Sequence, residues 1–384
     1  MNQQPYIAKT FKGLEEVLAT ELIALGADNI EIQRRAVAFT GDKAMLYKAN
    51  LQLRTAIRIL KPVATFRAGT PDEIYEEVKK VDWSEFMDLT TTFAVDATVF
   101  SEEFNHSKFV AYRVKDGIVD WFKEKFNDRP SVKLDNPQLS FNVHVAQNRC
   151  TLSLDSSGES LHKRGYRVNQ TEAPISEALA AGMLLIAGWK GQSNFLDPFC
   201  GSGTFLIEAA LIALNIPPGL YRPSFGFEQW KDFDKQLFDD LYQDDSNERP
   251  FDFKIYGSDI SRRAIEVATE NIKSAGLSKY IELQVKPVGE LEPPAENCLI
   301  VTNPPYGERL NTEDIADIYS TLGTVLKHKF AGSSAWVISS EESLLDKIGL
   351  KPAKKVKLLN GALDCLYNRY DIFSGKRKEF LEKS

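Results

Sequence analysis

The 384-residue sequence is poor in the side chains that bind metals or form disulfides. It contains four cysteines and four histidines. The cysteines lie far apart and form no Cys-x-x-Cys pair, so they indicate neither a zinc site nor a disulfide framework. The histidines show no ligand spacing. We therefore expect no metal cofactor and a reducing, cytoplasmic setting.

Long apolar runs are also absent. No run approaches the ~18–20 residues that a membrane-spanning helix needs. The first residues have neither the basic nor the apolar region of a secretory signal, so none is expected. A membrane is accordingly not an expected partner.

Positive charge is not in excess. The chain has 47 Lys and Arg against 54 Asp and Glu, which gives a net charge of −7. A basic surplus is the usual electrostatic mark of a nucleic-acid-binding protein. Charge alone therefore does not predict such a partner, and that function must be argued from motifs.

The length and the order of apolar patterns predict three folded domains. Residues 1–57 read as a small α+β module, and residues 58–160 alternate strands with helices. From residue 161 to 384 the pattern becomes strand, turn and helix in repetition, which predicts an α/β domain with a doubly wound parallel sheet. The acidic and aromatic span 221–250 breaks this rhythm and is predicted to be an insertion over one end of the sheet.

A glycine turn follows the first strand of that α/β domain. Ligands of open α/β sheets bind at such strand ends, and Gly201 and Gly203 allow a ligand to approach the main chain before Thr204. The turn has no P-loop lysine and is not Gly-x-Gly-x-x-Gly. A nucleoside without phosphate, such as S-adenosylmethionine, fits better, and Asp197 can meet its methionine amine. The alternative is a turn that is only structural.

Asp259 ends the next predicted strand. A carboxylate there can accept hydrogen bonds from both ribose hydroxyls of a nucleoside. The alternative is that Asp259 caps the following helix, with Ser261 as a competing cap.

The predicted catalytic loop is Asn303-Pro304-Pro305-Tyr306. Two prolines make it stiff, so the Asn303 side-chain oxygen and the Pro304 carbonyl can accept the two protons of an exocyclic base amine. They would orient its lone pair and stabilise the charge that develops during methyl transfer. Tyr306 can stack on a base taken out of its helix, worth roughly 1–3 kcal/mol. The alternative is a proline turn with an exposed tyrosine.

Together these motifs resemble a known family. The C-terminal domain is similar to class I methyltransferases once labelled adenine-N6-specific DNA methylases. The whole chain resembles the bacterial THUMP-domain rRNA guanine-N2 methyltransferases. The segments that carry the resemblance are 161–167, 172–181, 197–204, 303–310 and 360–367, with softer support from 104–107 and the helix after it.

The resemblance implies a ferredoxin-like module at 1–57, a THUMP RNA-binding domain at 58–160 and a class I, Rossmann-like methyltransferase domain at 161–384. It further implies methylation of guanine N2 in 23S rRNA, met as free rRNA or as an assembly intermediate. By the same resemblance Pro174 and Glu177 border the methionine end of the cofactor. From the residues alone, these two are equally well a helix start.

One departure concerns the cofactor adenine. Class I methyltransferases usually carry Asp or Asn after the third strand to hold the adenine amine, whereas in this chain the expected position falls near Lys286-Pro287. Adenine would then be held by main chain, water or apolar packing.

Two alternatives stay open. The same loop would serve an adenine-N6 methyltransferase of DNA or RNA, and the missing third-strand acid would suit an RNA-binding ribosome-assembly factor with a vestigial methyltransferase domain. The basic residues Lys163, Arg164 and Arg167 fit RNA contact and a solvated turn equally well.

Overall fold

The computed structural model describes residues 3–104, 106–170, 174–306 and 312–373. Asn105, residues 172–173 and residues 307–310, which belong to the segments of the resemblance, lie outside them. The helices of the described residues are α1 (Glu15–Leu25), α2 (Lys43–Gln52), α3 (Pro71–Lys79), α4 (Ser107–Phe126), α5 (Glu177–Ile186), α6 (Thr204–Leu214), α7 (Lys235–Tyr242), α8 (Arg262–Ser274), α9 (Thr312–Lys329) and α10 (Glu342–Lys347).

The strands alternate with these helices along the chain. They are β1 (Gln4–Thr10), β2 (Asp28–Gln33), β3 (Ala36–Gly41), β4 (Ala56–Arg67), β5 (Thr92–Phe100), β6 (Ser131–Val132), β7 (Leu139–Ala146), β8 (Arg149–Asp155), β9 (Phe195–Asp197), β10 (Ile255–Asp259), β11 (Ile281–Val285), β12 (Leu299–Thr302), β13 (Ser334–Ser339), β14 (Lys354–Asn360) and β15 (Leu363–Asp371). None of the described helices is long and apolar enough to cross a membrane.

The described residues form two compact units. Unit 1 takes its residues from 1–10, 19–161 and 222–243, and unit 2 from 11–18, 162–221 and 244–384. Unit 1 therefore spans both predicted N-terminal domains.

Unit 1 is built on one eight-stranded sheet with the order β2-β3-β1-β4-β8-β7-β5-β6. Most neighbours are antiparallel, and β5 runs parallel to β6 and β7. Helices α3 and α4 pack against each other, and α4 also packs on β5. Local chemistry sets the helix limits: Thr70 accepts a hydrogen bond from the N–H of Glu73 to cap α3, and Asn127 ends α4 in the left-handed conformation.

Strand β4 is longer than the sequence predicts. The pattern predicts a strand at 58–60, whereas β4 covers twelve residues. Its pairing with β8 shifts between Pro62 and Ala64. A proline has no N–H to donate, so it is tolerated at such a bulge, and the strand continues where the sequence pattern breaks.

The segment 222–243 does not lie where the sequence predicts. Instead of covering the parallel sheet it belongs to unit 1, so that prediction is wrong for these residues. Phe227 and Phe238 pack on Tyr47 of α2, and the centroids of the Tyr47 and Phe227 rings are 4.4 Å apart. The Arg222 guanidinium donates hydrogen bonds to backbone carbonyls, including that of Glu159 at 2.7 Å. Aromatic content predicts that this segment is buried, but not in which core.

Unit 2 contains a seven-stranded sheet with the order β11-β10-β9-β12-β13-β15-β14. The first five strands are parallel, and β15 is antiparallel to both of its neighbours. One face is covered by an apolar cluster that includes α5 and α6, and the other by a cluster that includes α9 and α10. The predicted doubly wound α/β fold is confirmed. Strand order reverses between β9 and β12, where such sheets open a ligand crevice.

Candidate active site

The two strands at the reversal point are joined by a side-chain hydrogen bond. Asp197 ends β9 and Thr302 ends β12, and the Thr302 hydroxyl donates to Asp197 Oδ1 at 2.7 Å. The N–H of Phe199 donates to the same oxygen at 3.1 Å. Burial raises the pKa of Asp197 to about 7, against the lowering effect of these two bonds. Asp197 thus connects the glycine turn to the strand that carries the predicted catalytic loop.

The glycine turn adopts a conformation that requires glycine. Gly201 and Gly203 have φ of 50° and 83°, where a side chain would be strained. A Cβ on Gly203 would also lie 3.3 Å from the Ala268 side chain of α8. Gly203 precedes Thr204, the first residue of α6. The turn therefore offers bare main chain to a ligand at the carboxyl end of β9.

Asp259 is brought against that turn. Its Oδ2 accepts a hydrogen bond from the Gly201 N–H at 3.0 Å, and its Oδ1 accepts one from the Ser261 N–H at 2.9 Å. Ser261, not Asp259, caps α8, since its hydroxyl accepts from the N–H of Ala264. The alternative that Asp259 caps α8 is therefore wrong. Ribose binding by Asp259 stays a prediction, and the position of its carboxylate beside the glycine turn fits it.

Asn303 carries an unused acceptor. Its Oδ1 is shielded from solvent and accepts no hydrogen bond from the described residues. A buried polar atom without a partner costs about 1–3 kcal/mol, which a donor on a bound molecule would recover. Pro304 beside it is buried, and Pro305 is half-buried. The loop is thus stiff and holds an acceptor ready for an N–H group.

The Tyr306 ring is half-buried, so the alternative of a proline turn with an exposed tyrosine does not describe it. It packs against the apolar clusters on both sheet faces. Its hydroxyl accepts a hydrogen bond from Asn360 Nδ2 at 2.7 Å. Asn360 lies at the tip of the β14–β15 hairpin, next to Gly361 with φ of 62°. Sequence reasoning assigned no role to Asn360, although it opens the 360–367 segment of the resemblance.

Arg167 connects the start of α5 to the start of α6. Its Nε lies 3.3 Å from Glu177 Oε1, and its Nη2 donates to Thr204 Oγ1 at 2.9 Å and to the Ile175 carbonyl at 3.0 Å. Burial raises the pKa of Glu177, and the Arg167 charge opposes that rise. Pro174 precedes this helix start and is half-buried. Arg167 thus holds Glu177 and the Ile175 carbonyl, which directly follows Pro174, near Thr204 at the end of the glycine turn.

The basic residues before α5 do not form a surface cluster. Arg164 is 2% exposed and lies 3.5 Å from the buried Glu208, which also accepts a hydrogen bond from the Tyr166 hydroxyl at 2.9 Å. RNA contact by Arg164 is therefore wrong. Lys163 is exposed.

Polar side chains flank the slot expected to hold adenine, and they include the carboxylate of Glu282. The Lys286 N–H donates to the Asp259 carbonyl at 2.9 Å. Ser258, Gln284 and Lys286 contribute to a cavity of about 160 Å³ beside β10 and β11. The Ser258 hydroxyl is buried without a hydrogen-bond partner among the described residues. No group of three or more His, Cys, Asp or Glu side chains in the described ranges is placed to hold a metal ion.

Comparison with known families gives three matches along the chain. Residues 164–369 match the RMKL-like methyltransferase domain, residues 68–155 the THUMP domain and residues 5–60 the RlmL ferredoxin-like domain. The first match covers more than half of the chain. The chain belongs to the RMKL-like methyltransferase family. The predicted order of ferredoxin-like, THUMP and methyltransferase domains is thereby confirmed.

Members of this family with similar sequences carry related names. A Synechocystis protein provisionally named an RNA methyltransferase is 40% identical, over 96% of this chain and 97% of that protein. A Syntrophotalea carbinolica protein named ribosomal RNA large subunit methyltransferase K/L is 41% identical, over 96% of this chain and 53% of that protein. The chain therefore spans about half the length of the K/L relatives that it matches.

Solved structures similar to this RMKL-like chain cover 97–98% of its length. A protein of Clostridium difficile described as a possible methylase is 34% identical with a TM-score of 0.88, and the match covers 98% of this chain and 100% of that one. A protein provisionally named a methyltransferase and solved in complex with SAH is 30% identical with a TM-score of 0.87 and the same coverage. A Listeria monocytogenes protein described as a predicted N6-adenine-specific DNA methylase is 33% identical with a TM-score of 0.86, over 97% of both chains.

The family membership and the site agree on the chemistry. The RMKL-like domain is a methyltransferase domain, and its residues fit S-adenosylmethionine. The glycine turn admits close approach, Asp259 lies beside it, and Asn303 follows the neighbouring strand. S-adenosylmethionine is therefore the cofactor of this methyltransferase.

Proposed function

We propose that this protein transfers the methyl group of S-adenosylmethionine to the exocyclic N2 of guanine in 23S rRNA. The observation that carries the chemistry is the buried Oδ1 of Asn303, which accepts no hydrogen bond from any described residue and so suits a substrate that brings an N–H donor. The THUMP match and the relatives named ribosomal RNA large subunit methyltransferase support RNA as the substrate. The choice of guanine N2 rests on the family resemblance of the whole chain.

The cofactor supplies an electrophilic methyl group, and the chain's residues prepare the amine that accepts it. Asn303 Oδ1 and the Pro304 carbonyl would accept the two protons of the guanine amine and direct its lone pair. These oxygens also stabilise the positive charge that grows on nitrogen during the transfer. One proton then leaves to solvent, because it becomes acidic only once the new bond has formed.

Two hydrogen bonds hold this arrangement in place. The bond from Thr302 to Asp197 keeps the loop in register with the glycine turn. The bond from Asn360 fixes the hydroxyl end of Tyr306, so that only the remaining part of its ring is available to border the base. Asp197, Gly201, Gly203, Thr204, Asp259, Pro174 and Glu177 are proposed to surround the cofactor.

Adenine N6 is the second candidate, because it is also an exocyclic aromatic amine and one similar structure is named for that activity in DNA. The THUMP match favours RNA over DNA. An assembly factor with a vestigial site is the third, but an intact Asn303 argues against it.

One experiment separates these candidates. The protein is incubated with labelled S-adenosylmethionine and, in parallel, with rRNA from cells that lack it and with unmethylated DNA, and the nucleosides are then separated. N2-methylguanosine in 23S rRNA is the expected product. N6-methyladenine in either nucleic acid would contradict the proposal, and RNA binding without any transfer would favour the assembly factor.

A further inference from the structure

Helices α5 and α6 of unit 2 pack against each other, and Arg167 contacts the start of both. Its Nη2 donates hydrogen bonds to the Ile175 carbonyl just before α5 and to the hydroxyl of Thr204, the first residue of α6. Within the described part of the chain neither helix has a side-chain cap, because the Ser176 hydroxyl accepts no backbone N–H and Gly203 has no side chain. Uncapped N–H groups at a helix start favour an anion. Two helix starts and one guanidinium therefore attract a negatively charged group to this place.

The segment that carries Arg167 is held by one buried side chain of α8. The Oδ1 atom of Asn271 accepts hydrogen bonds from the N–H groups of Val168 at 3.0 Å and Asn169 at 3.2 Å. Its Nδ2 donates to the Ser202 carbonyl of the glycine turn, also at 3.0 Å. Asn271 is 1% exposed. It thus fixes the residues after Arg167 against the glycine turn, so the guanidinium is positioned before a ligand binds.

Two donors at this place are not used within the described residues. The contacts of Arg167 use Nε and Nη2, and Nη1 makes no hydrogen bond there. Ser176 lies between the two residues of the α5 start that Arg167 contacts, and its Oγ is shielded from solvent and likewise has no partner. A buried hydroxyl without a partner weakens folding, and a ligand oxygen would satisfy it. A guanidinium N–H and a hydroxyl together suit a ligand group with two acceptor oxygens.

The charged side chains packed around this place form two pairs. Glu177 Oε1 lies 3.3 Å from Arg167 Nε. Glu208, one turn after the start of α6, has its Oε1 3.5 Å from Arg164 Nε. Burial raises the pKa of Glu177 and the charge of Arg167 opposes that rise, with smaller contributions of opposite sign from the second pair. Two cations thus balance two carboxylates. A ligand group with one positive and one negative charge preserves this balance, whereas a phosphate adds an uncompensated negative charge.

Other carboxylates near the glycine turn lie at its first half. Asp197 and Asp259 accept hydrogen bonds from the main-chain N–H groups of residues 199 and 201. Arg167 instead contacts Thr204, at the end of the turn. Glu270 of α8 is exposed and accepts a hydrogen bond from the segment after Arg167. A ligand along the glycine turn thus meets carboxylates at one half and the pair of Arg167 and its carboxylate partner at the other.

We propose that Arg167 and Ser176 bind the carboxylate of the methionine moiety of S-adenosylmethionine. The inference takes S-adenosylmethionine as the cofactor and does not depend on which base is methylated. The methionine moiety carries an ammonium and a carboxylate on the same carbon atom. Glu177 and Asp197 suit the ammonium. The Arg167 guanidinium suits the carboxylate, because a hydrogen bond between charged groups is about twice as strong as a neutral one. The pair of Arg167 and Glu177 is thus the counterpart of the zwitterionic end of the cofactor.

The test compares two ligands that differ only in this carboxylate. S-adenosylhomocysteine carries it, and in the decarboxylated analogue a hydrogen atom replaces it. Binding of each ligand to the full-length protein is measured by isothermal titration calorimetry. We expect the unaltered protein to bind S-adenosylhomocysteine about tenfold more tightly than the analogue. Arg167→Met should weaken binding of S-adenosylhomocysteine by about the same factor and change the Kd of the analogue by less than about twofold.

Ser176→Ala tests the same site with a smaller change and decides the case in which Arg167→Met does not fold. It removes only an oxygen that has no partner among the described residues, so the melting temperature should not fall. Binding of S-adenosylhomocysteine should weaken several-fold, and binding of the analogue should not change. Arg369→Met and Ser343→Ala are the controls, because Arg369 is paired with Asp371 on β15 and Ser343 is exposed on α10. Neither control should alter the affinity for either ligand.

Equal losses of affinity for both ligands in the two variants would show that Arg167 and Ser176 only hold the helix starts, and would overturn the proposal. Equally tight binding of both ligands by the unaltered protein would overturn it as well. Loss of rRNA binding by Arg167→Met with unchanged S-adenosylhomocysteine binding would assign the site to an RNA phosphate instead. The expected preference for S-adenosylhomocysteine without any N2-methylguanosine formed in rRNA would support the carboxylate site and contradict the proposed function. Methylation of guanine N2 in rRNA without that preference would do the reverse.

Discussion

At the scale of single residues, the oxygen of Asn303 differs from most buried polar atoms because no described residue donates to it. Proteins usually satisfy such atoms internally. Leaving one unpaired weakens folding slightly and reserves an acceptor for the substrate amine.

Replacing Asn303 by Ala should lower the rate of methyl transfer by about 10²-fold or more, because one preorganised group is lost where charge develops. Affinity for S-adenosylhomocysteine, measured by calorimetry, should stay within about twofold. The melting temperature should not fall, since the removed oxygen has no partner among the residues that the structure describes. An unchanged transfer rate would show that the Asn303 side chain has no part in the reaction.

Asp197 predicts a dependence of stability on pH. Its pKa is about 7 in the folded chain because of burial, against about 3.9 in an unfolded one. The folded state therefore binds more protons between these values, and stability contributed by this group falls as pH rises from about 4 to 7. Well above pH 7 this loss of stability no longer changes with pH.

Asp197→Asn removes this titration. Between pH 5.5 and pH 8, the free energy of unfolding of the variant should rise by about 1–2 kcal/mol relative to that of the unaltered protein. Urea unfolding at several pH values measures it. A difference in free energy of unfolding that is the same at every pH would contradict the raised pKa of Asp197. Loss of the hydrogen bonds alone would produce such a constant difference.

At the scale of elements, the β14–β15 hairpin supports the catalytic loop from outside the parallel part of the sheet. Its tip residue Asn360 donates to the Tyr306 hydroxyl. The hairpin thus holds the Tyr306 end of the catalytic loop, whereas strands β9 and β12 position its Asn303 end.

Asn360→Ala should lower kcat by several-fold, because Tyr306 loses the bond that orients its hydroxyl end, worth about 1 kcal/mol. S-adenosylhomocysteine affinity should not change. Leu363→Ala is the control, since Leu363 pairs with Asn360 in the hairpin and is 49% exposed. Restoration of kcat by the donor-bearing Asn360→Gln would support a positioning role, and equal losses for Ala and Gln would contradict it.

The sequence predicts most elements because their signals are local. Pro71 after Thr70 starts α3, and the alternation at 92–100 coincides with β5. The order of Asp197, Asp259 and Asn303 on successive strand ends is likewise readable, because parallel strands bring their carboxyl ends together. The bonds from Gly201 to Asp259 and from Thr302 to Asp197 follow from that order.

Features that depend on distant partners are not readable in the same way. The bond between Asn360 and Tyr306 joins residues far apart in the chain, and neither has a local pattern that demands it. Arg164 looks like a surface cation until Glu208 is found beside it in the core. The Arg34 guanidinium lies over the Phe100 ring of β5. This contact depends on how the whole eight-stranded sheet of unit 1 is formed.

At the scale of the whole molecule, the chain passes between the units more than once. Residues 222–243 belong to unit 1, although the chain on both sides of them belongs to unit 2. The stability of unit 1 therefore depends on residues that lie inside the sequence span of the methyltransferase domain.

Phe227→Ala should destabilise unit 1 by about 3–5 kcal/mol, because a fully buried ring stacked on Tyr47 is removed. Hydrogen exchange read by mass spectrometry should rise in peptides of β4, β7 and β8. Phe205→Ala in α6 is the matched core variant for unit 2, where β9 and β10 should respond instead. Faster exchange confined to unit 2 after Phe227→Ala would contradict the assignment of this segment.

The same chain path sets an order for synthesis on the ribosome. Domains usually fold as they emerge, at about 5–20 residues per second. The last strand of the unit 1 sheet ends at Asp155, yet the ring that stacks on Tyr47 belongs to Phe227, and its segment ends at Gln243. Gln243 follows Asp155 by 88 residues, which take about 4–18 seconds to synthesise. By then β9 and α6 have already been made, so unit 1 begins first but cannot be completed before unit 2 has started to form.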